Sequence, residues 1–250
     1  MRLKLLSCEV FHREMCAVAA RSPNTVDMKF LPKGLHDRGG AVMRHVLQEC
    51  IDEAEPEPAE AVVLGYGLCN NSLAGLRAAG KPLVVPRAHD CLAILMGGRE
   101  QFSRYFEKNP GTYFLSSGWL ERGRTASQPA SAGGSATRGA FGMSWEQLVE
   151  QYGEENAAYL VEQERESTAH YDRVAFFRMG VDPDDRFEEE ARGVAEEKGW
   201  LFTLLPGNLR LLQALVDGDW PDEDFLTVPP EHEIGLTYDD RIIRAVPPSG

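Results

Sequence analysis

The first hundred residues alternate between short apolar runs of strand length and longer stretches whose apolar positions recur at helical spacing. The pattern predicts a strand over Leu3 to Cys8, a helix from Val10 to Ala20 and a strand from Asp27 to Leu31. A helix over Asp37 to Glu53 follows, with Val42, Val46 and Leu47 on one face. The acidic, proline-punctuated EAEPEPAE ends it before the strongest apolar run, Ala61 to Leu64. NNSLAGLRAAG reads as a loop and a short helix closed by Gly80, and Lys81 to Pro86 as a fourth strand. Cys91 opens or precedes a helical stretch reaching about Lys108.

After GTYFLSSGW the chain loses its apolar periodicity over Glu121 to Gly142, a Ser/Ala/Gly-rich tract with too little apolar content to pack. Ser144 then opens a long helix through a Ser-x-x-Gln capping box, with Trp145, Leu148, Val149, Tyr152 and Tyr159 able to share a face. Strands near Arg173 to Met179, Trp200 to Leu205 and Asp224 to Val228 alternate with helices near Asp185 to Lys198 and Asn208 to Val216. Nearly continuous apolar strands separated by helices predict an α/β protein of mostly parallel, doubly wound sheets. Two Rossmann-like lobes with a cleft are the first architecture expected, and one continuous sheet the second. The boundaries are 1–120 for an N-terminal lobe, 121–143 for the insertion and 144–250 for a C-terminal lobe.

Composition narrows the function classes. A net charge of −13 supplies no basic footprint for nucleic acid or an anionic membrane surface. No window reaches the roughly 18 apolar residues of a membrane span, and the start carries no cleavage-site pattern, so a cytoplasmic protein is expected. In that reducing compartment five cysteines point to metal ligation, reactivity or packing rather than disulfides.

Three of those cysteines, Cys8, Cys69 and Cys91, fall where predicted strands run out: LKLLSC, AVVLGYGLC and PLVVPRAHDC. Ligands of open α/β sheets bind beyond the carboxyl ends of the strands, so three separate exits can deliver three thiols to one point. Zinc takes thiolate and imidazole ligands tetrahedrally, which makes Cys8, Cys69 and Cys91 with His89 a chemically sensible set. Three cysteines also suit an iron-sulfur cluster with one iron left for substrate. His89 and Asp90 are candidate proton-handling residues, Asp90 alternatively a helix cap. Gly67, Asn70 and Arg87 are candidates for holding a cofactor or substrate. Core packing is the competing reading of each cysteine and the favoured one for Cys16 and Cys50, which fall within helices. Exposed helix polarity is the favoured reading of His12 and Glu14. Gly97, Gly98 and Arg99 form a weak candidate anion site, and GTYFLSSGW a candidate lining of the same crevice. No Gly-x-Ser-x-Gly elbow supports a serine hydrolase.

With SCEVFHRE, GYGLCNN, PRAHDC and GTYFLSSGW together, the chain resembles an uncharacterised bacterial and archaeal domain-of-unknown-function family of cysteine-containing proteins. The resemblance implies Cys8, Cys69 and Cys91, with His89, as the residues to carry over. It also implies an association with corrinoid-dependent methyltransferase systems, hence a role in one-carbon or thiol/methyl transfer on a small-molecule substrate. The alternative is a non-catalytic protein delivering a metal, cluster or corrinoid to a methyltransferase partner.

Overall fold

The computed structural model describes residues 1–69, 71–122 and 145–248, apart from the side chains of 36, 37 and 164–167. Asn70, Ser144 and the insertion from residue 123 onward lie outside the described residues. The chain divides into two compact units, Met1–Tyr105 with Gly207–Gly250, and Phe106–Pro206.

In the first unit the strands are β1 (Arg2–Cys8), β2 (Thr25–Leu31), β3 (Ala61–Gly65), β4 (Leu83–Pro86) and β8 (Phe225–Val228), in the order β2-β1-β3-β4-β8. All pairs are parallel except β4 with β8. Every residue of β3 and β4 is buried, as two-sided coverage of a parallel sheet requires. Edge strand β2 is half-exposed and carries charge, with Arg2 paired to Asp27 at 2.7 Å across it.

Helices cover both faces. On one, α2 (Gly40–Glu53) packs Met43, Leu47, Cys50 and Ile51 against Leu6, Val62, Leu64, Leu83 and Val85, the alternate residues of β1, β3 and β4. On the other, α1 (His12–Ala19) packs with α9 (Arg210–Asp217), and α9 lies on β3 and β4. Helices α3 (Cys91–Leu95) and α4 (Arg99–Phe106) replace the single expected stretch, because Gly97 and Gly98 interrupt it at φ of 84° and 148°. Gly97 sits against Asn208, whose side chain would lie 2.7 Å from an added Cβ, and its carbonyl accepts from Arg210 at 2.8 Å. The glycine pair therefore serves a packed turn. No short helix forms in residues 71–80, where turns lead to a bridge between Arg77 and Glu233.

The second unit is built on a three-stranded parallel sheet, β5 (Thr112–Ser116), β6 (Arg173–Arg178) and β7 (Leu201–Pro206). Leu115, Val174 and Phe176 pack with Leu120 of α5 (Ser117–Arg122) and with Phe187, Ala191 and Val194 of α8 (Arg186–Lys198). The long helix expected from Ser144 is two helices, α6 (Trp145–Tyr152) and α7 (Glu154–Thr168), broken at Gly153 with φ of 80°. Leu148 and Ala157 pack between them, whereas Trp145, Tyr152 and Tyr159 are exposed rather than on a shared buried face.

The alternation of strands and helices is thus as expected, but the division of the chain is not sequential. β8 leaves the C-terminal stretch to join the first sheet because it pairs with β4, from Leu83↔Val228 to Pro86↔Phe225. The hairpin of β9 (Glu233–Leu236) and β10 (Ile243–Val246), absent from the sequence reading, follows it, burying Ile234, Ile242 and Ile243 against the α2 face.

Candidate functional site

The strand order reverses between β1 and β3, since the chain leaves β1 outward to β2 and returns to the other side. In sheets of this order the crevice at such a switch point is where ligands bind. β1 ends there with Cys8 in extended conformation before the chain turns into a 3-10 turn at Glu9–Phe11.

Beyond β3, the segment Tyr66 to Cys69 runs beside the exit of β4. Leu68 N–H donates to Ala88 at 2.8 Å and Cys69 N–H to His89 at 2.9 Å. Gly67 makes this docking possible, because a Cβ there would lie 2.7 Å from the Asp90 backbone. Its near face is filled by protein, so it holds two loops together rather than facing a ligand. Cys69 and Asn71 adopt left-handed conformations, φ 42° and 61°, and Ser72 Oγ donates to the Cys69 carbonyl at 2.5 Å. A left-handed non-glycine residue costs on the order of 1 kcal/mol, and such strain concentrates at functional sites. Cys91 is the first residue of α3, and Asp90 caps that helix by accepting from Ala93 N–H at 2.9 Å.

The three thiols are each half-buried. Burial pushes Cys8 up to about 12 from an ordinary 9.0. Burial, then the fields of Cys8 and Asp90, push Cys69 up to about 12. Cys91 is raised well above its ordinary value by burial, then by Cys69, Asp90 and Cys8. Each pair among the three interacts, so the three strand exits bring their sulfurs into one electrostatic neighbourhood. All five cysteines are free. Among the described residues no group of three or more His, Cys, Asp or Glu side chains is arranged to hold a metal ion.

The remaining candidates separate. His89 is solvent-exposed on the loop before the cap. Asp90 is half-buried, its carboxyl raised chiefly by burial, and its capping bond gives it a structural task. Arg87 is 5 % exposed and points its guanidinium into the C-terminal hairpin, not into a ligand site. Its Nε donates to the carbonyls of Asp222 and Phe225, its Nη1 to those of Arg241 and Ile243, and its Nη2 to the Asp222 carboxylate at 2.9 Å. Cys50 is buried within the α2 core and Cys16 half-buried on α1, as expected for packing cysteines. Glu14, read from sequence as helix-surface polarity, is fully buried. Ser116 and Ser117 of GTYFLSSGW belong to the second unit's sheet edge.

Tyr66 was not singled out by sequence reasoning, although its position between Gly65 and Gly67 marked a constrained strand exit. It is 3 % exposed, and its hydroxyl has no hydrogen-bond partner among the described residues. An unpaired buried hydroxyl costs about 1–3 kcal/mol. Burial raises the phenol well above its ordinary value, and Cys8, Cys69 and Cys50 raise it further.

These features define an α/β protein with a thiol-lined carboxyl sheet edge. The chain belongs to the family described as "Protein of unknown function (DUF1638)", whose model matches residues 30–216, a stretch that contains Cys69 and Cys91. No curated protein and no solved structure matches it significantly.

Proposed function

We propose that the first unit is a doubly wound, Rossmann-like module that binds a soft metal through Cys8, Cys69 and Cys91, zinc being the first choice and an iron-sulfur cluster the second. The observation that carries this reading is the delivery of Cys8, Cys69 and Cys91 by three strand exits beside one switch point. Three half-buried thiols at neighbouring strand exits suit a cation with thiolate affinity. The exposure of His89 leaves the fourth position to an exchangeable ligand. A metal in such a site supplies Lewis-acid stabilisation of a bound thiolate near neutral pH. The protein's own part is to exclude water around the sulfurs and to hold the loops through Gly67 and the Asp90 cap.

The associated activity in this reading is transfer in one-carbon or thiol/methyl metabolism, within a reducing cytoplasm that keeps the five cysteines free. The alternative is delivery of a metal, cluster or corrinoid to a methyltransferase partner, for which the acidic chain offers charge complementarity to a basic patch. Anaerobic purification followed by metal analysis and an absorption spectrum tests the common core of both. Near-stoichiometric zinc gives a colourless protein and iron-sulfur a coloured one, whereas a folded protein that takes up neither defeats the reading. Turnover without a partner then separates enzyme from delivery protein.

A further inference from the structure

We propose that the hairpin of α6 and α7 is a docking element for a partner protein, which lays a basic amphipathic helix along it as the third helix of a small bundle. The inference is independent of the thiol reading and goes beyond it. Among the described side chains of the hairpin only Leu148 and Ala157 are buried, with Val149 and Leu160 packed beside them. Those four form a cluster separate from the core that α8 makes with the sheet of the second unit. α6 spans 8 residues and α7 15, lengths at which a helix depends on covering its apolar face. Yet the apolar stripe of each helix runs on past this seam. Trp145 and Tyr152 stand three residues before and four after Leu148, on its face of α6, and are 44 % and 42 % exposed. Val161, four residues after Ala157 on α7, is 38 % exposed.

The hairpin is preformed. Gly153 N–H donates to the Val149 carbonyl and Ala157 N–H to that of Gly153, both at 2.9 Å, and the Asn156 side chain donates to the Tyr152 carbonyl at 2.9 Å. Charge decides what covers the exposed stripe. From Trp145 to Gln163 the chain carries five glutamates and no lysine, arginine or histidine. That field repels nucleic acid and anionic lipid. A second copy would set the same glutamates against one another, since a two-fold contact brings each patch onto itself. A helix with apolar residues on one face and lysine or arginine at its flanks matches both features: its apolar side meets Trp145, Tyr152 and Val161, and its basic rim meets the glutamates. Tryptophan and tyrosine suit the anchoring role because they bury a large area at little cost in side-chain entropy.

The probe is a synthetic amphipathic helix of leucine and lysine, with a scrambled peptide of the same composition and charge as its control, each titrated calorimetrically into the full-length protein. Expected are saturable binding of the amphipathic peptide that weakens as salt rises, and affinity about 30-fold lower for Trp145→Ala/Tyr152→Ala. Glu150→Lys/Glu154→Lys, which keeps the aromatic side chains, should weaken binding about 10-fold. Glu196→Lys/Glu197→Lys, a reversal of two exposed charges on α8, should leave the affinity unchanged. Wild-type affinity in either hairpin variant overturns the proposal. So does an equal loss in the α8 variant, or a scrambled peptide that binds as well as the amphipathic one, since charge alone then explains the contact. Absence of peptide binding overturns it too, and a dimer in sedimentation that Trp145→Ala/Tyr152→Ala dissolves assigns the face to a second copy instead.

Discussion

Both units present the carboxyl edge of a parallel sheet, but only the first furnishes that edge with thiols. In the second, β5 passes directly from Ser116 into α5 at Ser117, with no loop between them. Both serines are buried with their hydroxyls unpaired among the described residues. β6 leaves through Gly180, and its neighbourhood is held by Glu188, which pairs with Arg178 and, at 2.8 Å, with Arg192. In the first, the exits of β3 and β4 continue as paired loops before any helix begins, and those loops carry Tyr66, Cys69, Asp90 and Cys91 over the edge. The two edges therefore differ in what their strand exits carry: cysteines in the first unit, and in the second buried serines and a Glu188 ion pair.

The largest expected effect breaks this contrast at its chemistry. Under the three-thiol proposal, replacing Cys8, Cys69 or Cys91 by Ser should reduce bound metal from about one equivalent to near zero, while Ser116→Ala leaves it unchanged; plasma emission analysis of the purified variants reads the difference. Arg87→Ala removes every bond from the first unit's guanidinium to four backbone carbonyls and should cost about 3 kcal/mol in urea unfolding. A loss below about 1 kcal/mol would mean that water replaces the guanidinium at those carbonyls.

Glycine substitutions sharpen the same comparison. Gly67→Ala drives a Cβ into the Asp90 backbone and should destabilise by about 1–3 kcal/mol. Gly193→Ala, inside α8 of the second unit with nothing within 4 Å of the new methyl, should instead stabilise by up to about 1 kcal/mol. Opposite signs in denaturant midpoints check the pair.

Alkaline pH acts on the thiol edge. Cys8 and Cys69 ionise near 12 in the fold against 9.0 ordinarily, so the unfolded chain gives up these protons first. The stability they confer in the metal-free protein is fully present below about pH 9 and lost as pH rises toward 12. Urea midpoints measured from pH 8 to 11 should fall, and fall less steeply in Cys8→Ser. An equal fall in that variant would place the alkaline loss elsewhere.

The strands and the helices of the first unit were legible because each carries its own period: AVVLG is apolar throughout and α2 repeats at 3.6 residues. The placing of three cysteines at strand exits was legible for the same reason. The glycine breaks at Gly97 and Gly153 were harder, since a glycine inside a periodic stretch is tolerated as often as it ends a helix. Arg87 was misread because a charged residue near a strand end signals a ligand as readily as a buried anchor, and its partners lie more than a hundred residues away. Tyr66 was passed over because nothing local tells a buried phenol from a packed aromatic ring.

Local sequence therefore determined the kinds and order of the elements, the strand-end positions of Cys8, Cys69 and Cys91, and the cap at Asp90, since period, turn chemistry and capping act over a few residues. Tertiary structure alone decided that β8 returns to pair with β4, that Arg87 locks the C-terminal hairpin, and that the Tyr66 hydroxyl is buried near the thiols. Those outcomes depend on contacts between distant segments, where burial removes water and makes an unpaired polar group costly, and no short stretch of sequence carries that information.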